Sequence, residues 1–282
     1  MRCRSIALGV IVVAAASCSS EPAMTHQMRK VRLITALREA LLESVEAEKS
    51  AVLATTDEES KSMAQEAQQS AATINQLRDE LRSLVVADGR HVEIEKLDAF
   101  DAAWAEVERV DQRLLALAVA NTNLKATRLS GSAGATDLDH FVDTLVEMQR
   151  SATAPETMRA LSAAAIAALR IQSLALVHIP SADDAEMTRL EERMRALGEE
   201  VDRDLAAVRE GGQVPPDQLA AATQAWSDYQ GVLKDVLRLS RENTNVISFD
   251  VSVHEKRQVT KACLSALSAL LEAVDVGPKG VR

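Results

Sequence analysis

The sequence predicts an all-α protein made of two antiparallel four-helix bundles, in tandem or stacked, that arose by internal duplication. Three observations carry this. Aromatic residues are 2% of the 282 residues while 47% are hydrophobic, so Ala, Leu and Val fill the core, and Ala is the best helix former. The few Gly and Pro fall mostly where periodic segments stop, at Gly89, Gly131, Gly134, Pro155, Pro180, Gly211, Gly212, Pro215 and Pro216, which makes them helix punctuation. Shifting the chain against itself by 122 residues places Val92, Leu97, Ala103, Trp104, Val110, Leu115, Leu117 and the Asn-Thr-Asn of 121–123 on identical residues, the mark of a repeat.

A first helix is expected over 26–54, with Met28, Val31, Leu37, Leu41, Val45 and Val52 on one side. Thr56 followed by Glu59 is a capping-box pattern, so a second helix runs over 57–86 and stops at Asp88-Gly89. A third covers 92–130. The Gly-Ser-Ala-Gly-Ala-Thr run of 131–136 suggests a break, followed by a short helix over 137–150. Pro155 opens a helix to residue 177, the cluster of 181–184 starts another to residue 210, and 217–276 forms a long stretch interrupted only at Gly231. Whether 248–256 is helix or turn stays open. The turns coincide under the 122-residue shift, with Asp88-Gly89 falling on Glu210-Gly211. Each repeat is then two helices of about thirty residues, roughly 45 Å long at 1.5 Å per residue, followed by a longer stretch. Such helices bury their apolar stripes against each other.

The N-terminus has the form of an export signal: Arg2 and Arg4, an uncharged run over 6–16, then Ala15-Ala16-Ser17-Cys18. Eleven apolar residues are too few to cross a bilayer, which takes about 20. The small residues ahead of Cys18 resemble the lipobox of bacterial lipoproteins, which implies lipidation of Cys18, and Ser19 fits the outer-membrane class. Cleavage after Ala16, releasing a soluble protein, is the alternative. The expected organisation is a signal peptide at 1–17, a linker at 18–25, bundle units at 26–152 and 153–276, and a flexible tail at 277–282. Losing the leader's two Arg leaves 30 basic against 42 acidic side chains, a net charge near −12. That excludes nucleic acid, whose phosphates need a basic surface. Cys263 is left alone, on a stripe with Leu267, Leu270 and Val274, as a buried core residue.

The Asn-Thr-Asn triplets at 121–123 and 243–245 each lie seventeen positions after one of the two tryptophans, Trp104 and Trp226. Val107, Val110, Leu114, Leu117, Asn121 and Leu124 follow seam spacing, as do Tyr229, Val232, Val236, Leu239, Asn243 and Val246. A buried amide there must find partners or cost about 1–3 kcal/mol. Two readings stand: a polar layer fixing register, or a small-ligand site formed by Asn121, Thr122, Asn243 and Thr244. Asn123 and Asn245 point away from the seam and could cap, pair or meet water. Trp104 and Trp226 either fill core volume or offer a stacking surface.

The segments Glu46-Ala47-Glu48-Lys49-Ser50-Ala51-Val52-Leu53, Asp57-Glu58-Glu59-Ser60, Phe100-Asp101-Ala102-Ala103-Trp104 and "AWSDYQGVLKDVLRLSRENTNV" resemble the four-helix-bundle sensory domain of methyl-accepting chemotaxis receptors. The duplication is similar to its helical bimodular variant, with two stacked bundles. This resemblance implies a periplasmic domain that senses small molecules or envelope stress. Those receptors add a second transmembrane helix and a cytoplasmic signalling module, whereas this chain stops at Arg282, so sensing is expected to pass through a partner.

Signatures of catalysis are missing. His26, His91, His140, His178 and His254 form no i,i+4 ligand pair and are expected to be solvated or to cap helix ends. Glu43, Glu46, Glu48 and the acids of 57–59 could gather a cation but read as solvated helix faces. No nucleophile elbow, phosphate-cradling Gly loop or cofactor motif occurs, so the expectation is no enzyme, no cofactor and no metal. Two functions remain: a lipid-anchored sensory or ligand-binding protein acting through a partner, or an envelope assembly protein that associates with itself or with other envelope proteins and binds no small ligand.

Overall fold

The computed structural model describes residues 21–275, with side chains from residue 25 onward. The signal peptide of 1–17, Cys18 and the tail of 277–282 lie outside the described residues. The described residues form ten α-helices and two π-helical turns, and no strand occurs among them. The helices are α1 (Glu21–Leu53), α2 (Asp57–Asp88), α3 (His91–Ala120), α4 (Thr122–Leu129), α5 (Ala135–Ser151), α6 (Pro155–His178), α7 (Asp184–Gly211), α8 (Pro216–Glu242), α9 (Thr244–Val251) and α10 (Arg257–Asp275).

Local chemistry sets the boundaries. Thr56 Oγ1 accepts from the Glu59 N–H at 3.1 Å, and Glu59 Oε2 accepts from the Thr55 N–H at 3.0 Å, a capping box displaced by one residue on its return arm. Asp183 caps α7 through the N–H groups of Ala185 and Glu186. Gly89 ends α2 in the left-handed conformation at φ 64°, which costs a residue without Cβ nothing.

The third helix departs from expectation. It stops at Asn121 instead of running to residue 130, and α8 stops likewise at Asn243, both asparagines being left-handed at φ 51° and 53°. Asn tolerates this conformation better than other side chains with a Cβ. Conversely, the glycine run expected to break the chain is a π-helical turn, Ser130–Gly134, leading directly into α5. Its counterpart, Ser252–Lys256, settles the open segment as continuous helix with a π turn. Gly231 lies inside α8 and interrupts nothing.

These one-residue breaks decide the topology. Helices that fold back on each other need a connection of about 2–8 residues, which neither Asn nor the π turns supply. The chain therefore leaves the first bundle at Asn121 and returns to it after Asn243. One core joins Leu37 and Leu41 of α1, Ile74 and Leu81 of α2, Phe100 and Trp104 of α3, and Leu267 and Leu270 of α10. The other joins Phe141 and Leu145 of α5, Leu161 and Ile171 of α6, Leu190 and Val201 of α7, and Trp226 and Tyr229 of α8. Repeat and bundle thus do not coincide: 26–152 supplies three helices of the first bundle, while its last helix, α5, completes the second. The bundles meet end to end, where Arg128 reaches the Thr55 carbonyl and Asn123 the Ile179 carbonyl.

The buried stripe of α1 is also rotated from the expected one. Met28 is 54% exposed, whereas Lys30, Leu37, Leu41, Ser44, Glu48 and Ala51 face inward. Counting apolar positions skipped the three polar members of that face. Lys30 is satisfied, 2.5 Å from Glu93 and 2.7 Å from Asp88.

Candidate functional site

Both Asn-Thr-Asn triplets meet each other at the junction, all six residues buried except Asn245, which is half-buried. The Thr122 N–H donates to Thr244 Oγ1 at 3.0 Å, and the Thr244 N–H to Thr122 Oγ1 at 3.1 Å. The Asn123 and Asn245 N–H groups donate to each other's side-chain oxygens, both at 3.1 Å. These are first-turn amides of α4 and α9, which lack partners inside their own helices, so each helix start caps the other. Asn123 Nδ2 donates to Asn243 Oδ1 at 2.7 Å and Asn245 Nδ2 to Asn121 Oδ1 at 2.8 Å. Asn121 Nδ2 reaches Asp57 and Asn243 Nδ2 the Ser181 carbonyl, tying each break to the hairpin turn of its own repeat. The amides on the seam and those pointing away from it thus belong to one network, bonded within the chain.

Trp104 is fully buried, its N–H donating to Asn75 at 2.9 Å. Trp226 donates to Asp202 at 2.8 Å, lies beside Phe141 and Tyr229, and lines a groove of about 520 Å³ between α7 and α8. The other reassignment is His178, expected in solvent or at a helix end. It does end α6, but it is buried, with Nδ1 2.8 Å from Ser240 Oγ and Nε2 2.9 Å from Glu191. Burial holds its pKa below the ordinary value, against the pull of Glu191, so it is neutral and donates to Glu191 from Nε2. The apolar residues before it carry α6 inward to this point.

A second polar layer sits one π turn from the junction, once in each bundle, and the two differ. In the second bundle Ser130 Oγ accepts from Gln172 Nε2 at 3.1 Å, and the Tyr229 hydroxyl donates to Gln172 Oε1 at 3.1 Å, so the layer is closed. In the first bundle Ser252 takes the place of Ser130 and faces Glu48, while Val107 stands where the repeat has Tyr229. Valine cannot donate, and both Glu48 oxygens are buried without a hydrogen-bond partner. Burial raises the Glu48 pKa first of all; the Ser252 hydroxyl and the Lys256 ammonium oppose this without reaching bonding geometry. Lys256, where the repeat has Gly134, is itself buried and held 2.5 Å from both Asp111 oxygens. Burial also raises the Asp111 pKa, with Lys256 working against it.

Glu43 and Glu46 are exposed as expected, but Glu48 is not, and no cluster of potential metal ligands occurs among the described residues. The spacing of Glu48 from Leu41 and Ser44 was the signal that could have placed it inside.

This layer borders a groove of about 990 Å³ between α1 and the α9–α10 arm. Ser252, Lys256 and Thr260 lie in its floor; Thr260 Oγ1 is buried and unbonded. On the opposite side of the layer, Asp111 lines a smaller cleft of about 340 Å³ between α2 and α3. In the first bundle this layer thus leaves polar groups without partners beside open space, whereas the matching Ser130–Gln172–Tyr229 layer of the second is bonded.

No family model and no curated protein matches this chain. Among solved structures the fold is similar to the sensor domain of the histidine kinase sensor TorS from V. parahaemolyticus, with a TM-score of 0.53, 13% identity, and coverage of 90% of this chain and 97% of that one.

Proposed function

We propose that this chain is an exported sensory module, lipid-anchored through Cys18 on the periplasmic side, that binds a small ligand in its first bundle and acts through a partner protein. The carrying observation is the open polar layer: Glu48 and Thr260 lack partners, with Thr260, Ser252 and Lys256 lining a large groove, whereas Ser130, Gln172 and Tyr229 bond one another in the second bundle. An unbonded buried polar group costs stability, and such costs collect at functional sites. Export is supported by Arg2, Arg4 and the apolar run of 6–16. The fold is similar to that of a histidine kinase's sensor domain, which is in keeping with a sensory module. In this reading Asn121, Thr122, Asn243 and Thr244 couple the two bundles, Trp104 and Trp226 pack, and the ligand sits one layer away.

The test is hydrogen exchange beside a metabolite thermal-shift screen. A compound that raises Tm is expected to protect amides of the 252–256 turn and α10. Protection confined to the second bundle, or no compound shifting Tm, would defeat the proposal.

One observation favours the assembly reading. The outer face of α6 exposes Ile166, Leu169, Leu176 and Val177, each between 48% and 57% accessible, and the helix is apolar and long enough to cross a membrane by length and composition. Soluble monomers rarely expose contiguous apolar patches of this kind. Light scattering separates the two: an oligomer dispersed by Leu169→Glu, with no ligand shift, supports assembly.

A further inference from the structure

Resting on the reading that the α1/α10 groove is the ligand site, we propose that it takes a single-chain anionic amphiphile, a monomeric long-chain carboxylate. The groove is elongated: its lining runs along α9, the π turn and α10 from Phe249 to Glu272, about 35 Å at 1.5 Å per residue. Its walls are largely apolar, with Val45 and Val52 on α1 facing Phe249, Val253 and Leu264. Phe249 is 51% exposed and Leu53, at the mouth, 67%, so water now covers carbon that an alkyl chain would bury.

Charge selects the head group. Lys49, Arg257 and Lys261 line the groove, and none makes an ion pair among the described residues; Glu272, at one end, is the acid among the lining residues. Lys256 is held by Asp111. A chain whose net charge is −10 thus presents a locally positive trough. Thr260 adds a buried hydroxyl without a partner, at the level of Arg257 and Lys261 on the groove floor. A carboxylate can accept from this hydroxyl and from the two cations together, which a neutral head group cannot match. A cationic amphiphile meets three like charges. A short polar anion leaves the apolar wall wet.

The experiment is titration calorimetry of the mature chain with decanoate, dodecanoate and tetradecanoate below their micellar concentrations, with dodecanol as the neutral comparison. Each pair of methylenes is expected to tighten binding about fifteenfold, because one buried CH₂ is worth ~0.8 kcal/mol, or about fourfold. Arg257→Glu with Lys261→Glu, both exposed positions, is expected to weaken dodecanoate at least tenfold while leaving Tm without ligand unchanged. Thr260→Val is expected to weaken it severalfold. Equal binding of dodecanol, affinity independent of chain length, or binding only to phosphatidylglycerol vesicles would each overturn the assignment. If a short polar metabolite protects the 252–256 turn and α10 while dodecanoate does not bind, the amphiphile is wrong and the sensory reading survives.

Discussion

Glu48→Leu is expected to stabilise the protein. The carboxyl lies fully buried among the alanines and small polar groups of the first bundle, with neither oxygen bonded. Leaving such a group unpaired costs about 1–3 kcal/mol, and a leucine of similar volume would add buried apolar surface of up to about 1.5–3 kcal/mol. Some of this is lost to imperfect packing, so a net gain of about 2 kcal/mol is reasonable, or roughly 5 °C in Tm for a chain of this size. The gain must depend on pH. Because the folded pKa of Glu48 lies above the ordinary 4.5, the folded state holds a proton that the unfolded chain gives up. Wild-type stability from this group is full below about 4.5 and is lost as pH rises through the folded pKa. The difference between Glu48→Leu and wild type should therefore widen from pH 4 upward and then level off. Asp111, Lys49, Lys256 and Ser252 face the same group and are present in both proteins, so they largely cancel in the difference. Urea denaturation from pH 4 to pH 8 measures it, with Glu48→Gln as the control that removes the proton but keeps an unbonded amide. A destabilised Glu48→Leu, or a difference flat across that range, would mean that Glu48 has a partner and that the open layer is not open.

Three further outcomes follow from the junction and the core. Asn243→Ala forces a left-handed alanine and strands the Ser181 carbonyl and the Asn123 amide, for a loss of about 2–4 kcal/mol; Asn243→Gly keeps the backbone and should lose less, by thermal melts of both. Thr122→Val and Thr244→Val should show a coupling of about 1 kcal/mol or more in a double-mutant cycle, since each hydroxyl caps the other helix. Cys263 is fully buried, and burial pushes its thiol up to about 12, so iodoacetamide at pH 8 should leave it unmodified until urea unfolds the bundle.

The helices and their caps were legible in the sequence because their signals are local. Thr56 with Glu59, Pro155 and the 181–184 cluster each act within one turn, and the structure places the helix starts within a residue or two of them. The 122-residue repeat was legible as well, and Asn121 and Asn243 lie inside, as their seam spacing implied. What escaped was the consequence of the triplets. An Asn in a helical run reads as a polar seam residue, and only the backbone reveals that it is left-handed and ends the helix. The glycines of 131–136 read as a break because glycine usually marks one, yet here the chain runs through them as a π-helical turn, with Gly134 in helical conformation. Glu48, Asp111 and Lys256 escaped for another reason. Charged residues count as solvent-facing in any periodicity argument, and the burial of these three depends on one another across 63 to 208 positions of chain.

The differences between the two repeats carry more functional information than what they share. The repeated parts, the mutual helix caps and the π turns, build the crossing by which each repeat gives its last helix to the bundle begun by the other. Such a crossing makes the bundles mechanically dependent: α10 cannot slide along α1 without drawing on α9, whose first turn is bonded to α4, and α4 runs through its π turn into α5 of the second bundle. The unrepeated parts, Val107 for Tyr229 and Lys256 for Gly134, with Glu48 facing Ser252 on α1 where Gln172 bonds Ser130 on α6, open one polar layer while its twin stays closed. A group bound between α1 and α10 would therefore act on the bundle whose polar layer is open, and its displacement of α10 would reach the exposed face of α6 through helices already packed against it. A structural spacer has use for the crossing but none for the asymmetry, which is why the asymmetry favours a bound ligand.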